Sequence, residues 1–160
     1  MRVGQGFDAH RLVRGRPLRL GGVEVPHDRG LEGHSDGDAL LHAVASALLG
    51  AAGEGDLGTH FPSSDASLEG IDSARILEQV AARVRARGFE IANVDATIVA
   101  QAPRLAAFLP RMVDAIAGVL ALRRECVNVK VSSTDLLGAL GREEGIAALA
   151  VALLQERGTT

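Results

Sequence analysis

The chain has 160 residues, of which 47% are hydrophobic and 23% charged, with a net charge of −3. That balance fits one folded domain and excludes a disordered tail or a two-domain enzyme with its own cofactor module. Slight acidity argues against a nucleic-acid groove, and 2% aromatics with no Tyr or Trp argue against base-stacking platforms or an aromatic cage.

Arg2 to Asp8 reads as a short strand ending in Phe7-Asp8-Ala9-His10. Leu18 to Leu20 and Val23 to Val25 flank Gly21-Gly22, and two alternating runs joined by Gly-Gly predict a hairpin. His34-Ser35-Asp36-Gly37-Asp38 precedes a helical pattern in which Leu40, Leu41, Val44, Leu48 and Leu49 form an apolar face. Ser35 is the expected N-cap, with Asp38 three residues on to answer the free amides. Asp38, His42 and Ser46 form a polar seam beside the apolar face, and the helix should end near Gly50 to Gly53.

Residues 55 to 70 are rich in Gly, Pro, Ser and Asp and read as one long loop, often a functional feature in a compact domain. A second helix is predicted from about Asp72 to Arg87, with Ile76, Leu77, Val80 and Val84 inward. Phe89 to Gln101 reads as a strand. Pro110 fits the first turn of a third helix carrying Leu109, Met112, Val113, Ile116 and Leu120. Cys126 to Ser133 reads as a strand, and Ile146 to Leu154 is helix by its Ala and Leu content or a buried strand by its position after Gly145. Strands mixed with three helices predict an α/β sandwich with helices against one sheet.

The single cysteine, Cys126, cannot form an internal disulfide, so a reduced compartment is expected, and its apolar strand suggests a buried, inert thiol. The run Ile146 to Leu154 is too short to span a bilayer, and the start Met-Arg-Val-Gly has no apolar signal region. The expectation is a cytoplasmic protein without a membrane partner.

Asp8 and His10 stand two apart, so on a strand they share a face. Taken alone the pair is an ordinary strand end and a solvated imidazole. With the polar seam of His34, Asp38 and His42 in the same half of the chain, a metal reading leads, with His42 the best third ligand. One oxygen and two imidazole nitrogens leave a tetrahedral zinc one open position, the catalytic pattern. The segment from His34 to Asp38 is either an ordinary capped helix start or an anion site at free helix amides, with His34 donating to a phosphate oxygen. Asp56 and the run Phe61-Pro62-Ser63-Ser64-Asp65 are turn chemistry, though Asp56 could also accept polyol hydroxyls. Ser132-Ser133-Thr134-Asp135 ends a strand where ligands often bind. Asp135 could hold magnesium beside phosphate oxygens, or the segment is a plain helix cap. Arg142 offers a cation for a diphosphate or sits in a solvated charged turn.

Several of these runs follow one another in a specific order: Gly6-Phe7-Asp8-Ala9-His10, Leu20-Gly21-Gly22, His34 through His42, Gly55-Asp56-Leu57-Gly58 with Phe61-Pro62, Asp72-Ser73, Gln101-Ala102-Pro103 and Gly145-Ile146-Ala147. Together they resemble the 2-C-methyl-D-erythritol 2,4-cyclodiphosphate synthase family of the non-mevalonate isoprenoid pathway, over nearly the whole chain. The resemblance implies one α+β domain over residues 1–160, a mixed β-sheet with helices packed on one face. It also implies a homotrimer with sheets around a central axis and active sites between subunits. The implied reaction, by a phosphorus-oxygen lyase, is cyclisation of 4-diphosphocytidyl-2-C-methyl-D-erythritol 2-phosphate with release of CMP. The implied cofactors are one zinc (or manganese) per site and magnesium or manganese with the substrate diphosphate.

The motif match implies that Asp8, His10 and His42 bind zinc and that Asp135 binds the second metal. It implies that His34 and Ser133 stabilise the transition state, and that Ser35, Asp56 and Gly58 hold the erythritol. The segment Phe61, Ser64, Asp65 would close over the substrate. Ala100, Pro103, Arg104 and Ala106, with Ser132 and Thr134, would hold the cytidine phosphate, and Arg142 would meet phosphate. It further implies that the last segment is a strand. Asp135 stands where Glu is usual, Ser133 where Thr, Arg104 where Lys, Leu136 where Lys, Ser63 where Asp, Ala139 where Phe and Glu143 where Gly. Two other readings use the same residues: a metal-dependent phosphohydrolase with water as nucleophile, and a non-catalytic trimeric binding protein.

Overall fold

A computed structural model describes residues 1–158. The strands are β1 (Arg2–Arg14), β2 (Leu18–Leu20), β3 (Val23–Val25), β4 (Arg29–Leu31), β5 (Phe89–Val99), β6 (Val127–Ser132) and β7 (Gly145–Glu156). The α-helices are α1 (Ala39–Ala52), α2 (Leu57–His60), α3 (Ser73–Ala86), α4 (Leu109–Leu120) and α5 (Gly138–Gly141). The main sheet has the order β4-β1-β7-β5-β6, and β2-β3 form a separate pair. Among the described residues only β5 and β6 run parallel, and every other pairing is antiparallel. The fold is therefore a mixed α+β domain built on a mixed sheet.

The hairpin forms where Gly-Gly predicts it, since Gly21 and Gly22 both take positive φ, 60° and 74°. Helix α3 starts on the Asp72 cap, whose carboxylate accepts the Ala74 amide. Pro110 occupies the first turn of α4, where no amide is missed. The ambiguous tail is the strand β7, at the centre of the sheet between β1 and β5. Central position overrides the helix propensity of its Ala and Leu residues: Ile146, Ala148, Ala150, Ala152 and Leu154 all point into the core.

Three expectations need correction. Strand β1 runs to Arg14, so Asp8 and His10 lie in mid-strand, not at its end. The stretch from Gly55 to Gly70 is not one irregular loop, because Asp56 caps α2 and Asp65 caps a 3₁₀ turn over Ala66–Leu68. Cys126 closes a 3₁₀ turn before β6 and is half-buried, so it is not a core strand residue.

The helix-facing side of β1 presents Gly4 and Gly6, then Asp8 and His10. A Cβ on Gly6 would lie 2.0 Å from the Ala43 carbonyl oxygen, and one on Gly4 2.1 Å from that of Ala47. These glycines, opposite the alanines of α1, let the helix lie directly on the strand. The other face of the sheet carries Val3, Phe7, Leu149 and Val151, with Val3 68% and Phe7 59% exposed. Among the described residues, no helix is long and apolar enough to cross a membrane.

Gly6→Ala should destabilise the chain by about 2 kcal/mol or more, because backbone must move to admit the methyl. Gly50→Ala, on the same helix, meets only the Gln5 carbonyl oxygen at 3.8 Å and should be neutral or stabilising by up to ~1 kcal/mol. Thermal melts of the two variants check the contrast, and a Gly6→Ala midpoint equal to wild type contradicts the packing account.

Candidate active site

Helix α1 runs antiparallel to β1, so its first turn meets the strand just beyond Gly6. This brings His42 onto Asp8 and His10. Asp8 Oδ2 lies 2.8 Å from His10 Nε2 and 3.0 Å from His42 Nδ1, and the two nitrogens are 3.3 Å apart. A tetrahedral zinc with bonds of about 2.0–2.1 Å has ligands roughly 3.3 Å apart, so one oxygen and two nitrogens at these spacings suit it. Among the described residues this is the group of His, Cys, Asp or Glu side chains able to hold a metal ion.

The electrostatics favour the same use. Burial works to raise the Asp8 carboxyl, yet hydrogen bonds to His10 and His42 hold it well below the ordinary carboxylate range. The Asp8 hydrogen bond raises the His10 imidazole against desolvation, and the Glu32 backbone pushes it in the same direction. The donor set is thus a true carboxylate with two oriented imidazoles.

A cleft of about 390 Å³ opens above these side chains. His34, Ser35, Gly58 and Phe61 line it with the three donors, as do Ser46 and Ser63. Leu57, Leu68, Ile71 and Ile76 supply its apolar wall. His34 reaches over with Nε2 3.0 Å from the Asp65 carbonyl oxygen. Ser64 and Asp65 lie exposed on the segment after Phe61, and Asp56 Oδ1 accepts the Thr59 amide at its own helix start.

The helix-start reading is corrected here. Asp38, not Ser35, caps α1: its carboxylate accepts the amides of Leu41, Gly21 and Gly22 at 3.0, 2.9 and 2.7 Å. Ser35 instead accepts the Gly37 amide in the preceding turn and faces His42. A carboxylate already fills the amide site, so the start of α1 is not an anion site. Asp38 is fully buried, and burial raises its carboxyl against the pull of those amides.

The remaining predicted residues fall elsewhere. Ser132 ends the edge strand β6 and Ser133, Thr134 and Asp135 follow it, with Ser133 Oγ 3.4 Å from Asp135 Oδ1. The Ala100 amide donates to the Ser132 carbonyl, which joins the Ala100, Pro103, Arg104 and Ala106 segment to that edge. Asp8 and Val131 share one row across the sheet through Ala148 and Ile98, so this second group lies three strands away, roughly 14 Å. Arg142 pairs with Glu144 at 2.7 Å, near Arg11 and Arg29, outside the cleft.

Sequence reasoning missed the supports. Arg16 donates to the carbonyls of Gly33 and Ser35 at 2.8 and 2.7 Å, clamping the backbone on both sides of His34. Ser73 sits 2.9 Å from His42 Nε2, though its place after a capping Asp marks it only as a helix start.

Fold and site define an α+β enzyme with a candidate three-donor metal centre in a cleft between sheet and helix. Residues 1–155 match the model of the YgbB family. The 2-C-methyl-D-erythritol 2,4-cyclodiphosphate synthase of Geotalea daltonii is 56% identical over 157 residues, covering 98% of this chain and 92% of that protein. The bifunctional IspDF from Campylobacter jejuni superposes with a TM-score of 0.94 at 41% identity, covering 97% of this chain and 42% of that one. IspF of Plasmodium falciparum, in a CDP complex, superposes with a TM-score of 0.85 at 30% identity, covering 98% of this chain and 97% of that one. The chain belongs to the YgbB family and is a lyase.

Without metal, the Asp8–His10 pair should give stability a pH window. The lowered carboxyl contributes fully above its ordinary 3.8 and loses its contribution as pH falls toward the folded value. The raised imidazole contributes fully below its ordinary 6.5 and loses its contribution as pH rises through the folded value. Chelator-treated wild type should therefore exceed Asp8→Asn in melting temperature most between about pH 4 and 6.5. A difference constant from pH 3 to 9, both approximate limits well outside these ordinary values, contradicts the pairing.

Proposed function

We propose that this chain converts 4-diphosphocytidyl-2-C-methyl-D-erythritol 2-phosphate into 2-C-methyl-D-erythritol 2,4-cyclodiphosphate and CMP. The 2-phosphate oxygen bonds to the β-phosphorus, the bond from that phosphorus to the oxygen bridging the α-phosphorus breaks, and CMP leaves with the bridging oxygen. The observation that carries the reading is 56% identity to a synthase of that name along 98% of the chain. The convergent Asp8, His10 and His42 donors at the cleft support it.

Asp8, His10 and His42 would hold zinc or manganese, and Asp135 would hold magnesium or manganese with the diphosphate. A divalent ion at such a site supplies positive charge to phosphate oxygens. The protein's part is then alignment and charge neutralisation, because phosphoryl transfer needs little covalent help and an intramolecular attack gains from orientation. Ser35, Asp56 and Gly58 would grip the erythritol, and the segment from Phe61 to Asp65 would cover it. His34 and Ser133 would donate to phosphate oxygens as charge builds. Ala100 to Ala106 with Ser132 and Thr134 would take the cytidine phosphate, and Arg142 would meet phosphate. The CDP bound to the Plasmodium falciparum protein fits a cytidine ligand.

We read the working unit as a homotrimer with each site between two subunits. Two observations support it. The cleft donors and the cytidine-side residues lie three strands apart on one chain, and a neighbouring copy would bring its own cytidine-side residues up to the cleft. The helix-free face of the sheet also leaves Val3, Phe7 and Val151 in solvent, a surface suited to burial against another copy.

Incubation of the substrate with enzyme, zinc and magnesium should yield CMP and the cyclic diphosphate by phosphorus NMR. Absence of CMP sinks the synthase reading in favour of a binding protein, and inorganic phosphate points to a phosphohydrolase. His42→Ala should lose bound zinc and more than ~100-fold in turnover while keeping the oligomer, a larger loss than outer-shell changes cause. Unchanged metal content in that variant contradicts the ligand assignment.

A further inference from the structure

We infer that Asp36 and Ser73 form a positioning relay that keeps a proton on His42 Nε2 and so presents Nδ1 to the metal site. The inference rests on the metal reading of Asp8, His10 and His42. Ser73 is the first residue of α3 and is fully buried. Its Oγ lies 2.9 Å from His42 Nε2 and 2.5 Å from Asp36 Oδ1. Both Asp36 oxygens already accept backbone amides: Oδ1 from Asp38 and Oδ2 from Ser73, each at 3.2 Å.

Proton counting fixes the direction of the chain. A serine hydroxyl has one proton and can also accept. A carboxylate only accepts, so the Ser73 proton goes to Asp36. The Ser73 oxygen must then accept from His42 Nε2–H. Ser35 Oγ, 3.2 Å from the same nitrogen, accepts the Gly37 amide and keeps a second lone pair that can share the Nε2 proton. His42 Nδ1 is left facing Asp8 and His10.

Metal-bound imidazoles commonly give their second nitrogen's proton to a carboxylate or carbonyl, which sets tautomer and ring angle. His42 has an extended form, with a serine hydroxyl between ring and carboxylate. The Asp36 amide donates to the Ile71 carbonyl at 3.1 Å, so the relay is tied to the segment leading into α3. Asp36 and Ser73 act only through His42, as positioning residues.

The test is zinc affinity, measured by competition with a chromophoric chelator, together with histidine nitrogen NMR. Ser73→Ala should weaken zinc binding by about 10–100-fold. Asp36→Asn should weaken it in the same direction. The double variant should lose little more than Ser73→Ala alone, since members of one relay are not additive. In the zinc-loaded wild type, His42 should carry its proton at Nε2 and bind through Nδ1. A zinc-loaded His42 ring protonated at Nδ1 overturns the inference without any variant. Ser73→Ala affinity within about twofold of wild type overturns the relay and leaves the metal reading standing. A wild-type chain that takes up no zinc overturns both.

Discussion

The contact on which this structure depends is the direct seating of α1 on β1. Two glycines on the strand face the Ala43, Ala47 and Ala51 side of the helix, at distances where any side chain would strike backbone. That seating sets the height of the helix above the sheet. The next two strand positions on the same face, Asp8 and His10, then reach the first turn of α1, where His42 stands. A bulkier strand would lift α1 and separate the imidazoles. The rest of the sheet follows suit: β7 meets the helix layer with Ile146 and a row of alanines. A core of small and aliphatic side chains needs few aromatics, which accounts for the aromatic-poor composition without any deficit in burial.

Around this contact the polar groups act as ties between elements. Asp38 is fully buried, yet its two oxygens accept three amides, two from the hairpin turn and one from α1. It therefore fixes the β2–β3 hairpin against the helix that carries His42. Arg16 pins the segment before α1 by two backbone carbonyls, and Asp36 joins that segment to α3. The three donors sit on β1 and α1, while their supports come from the hairpin, the loop and α3. A buried polar tie of this kind is stable only when complete, which makes the arrangement all-or-none.

Much of this is legible in the sequence, and the gaps have physical causes. The Gly21-Gly22 hairpin, the Asp72-capped α3 and the Pro110 start of α4 each rest on one residue type with one local requirement. The length of β1 is hidden because its core-facing residues are Gly4, Gly6, Asp8 and His10, while Val3 and Phe7 face outward, the reverse of the usual alternation. The cap of α1 is misassigned because Ser35, Asp36 and Asp38 are all good capping types within four positions. Only the φ of 79° at Gly37 and the fold-back onto Gly21 and Gly22 decide among them. The Asp8–His10 pair is readable from strand period, and His42 from helix period. Ser73 and Asp36 are not, since a contact across 37 positions has no local signature.

The position of β7 has a consequence for how the chain is made. From Arg2 to Arg11, strand β1 hydrogen-bonds to residues 145–154 and to no other strand. A nascent chain emerges from its N-terminus, so Asp8 and His10 are synthesised long before their ladder partners Ala148 and Ile146. Until β7 inserts between β1 and β5, the part of β1 carrying two of the three donors has no ladder partner, and only Leu12 to Arg14 are paired, with β4. All three donors lie within the first 42 residues, yet their geometry waits for nearly the whole chain. Pairing at such sequence separation is slow to form. A ribosome-bound or truncated chain lacking β7 would carry every ligand and no assembled centre.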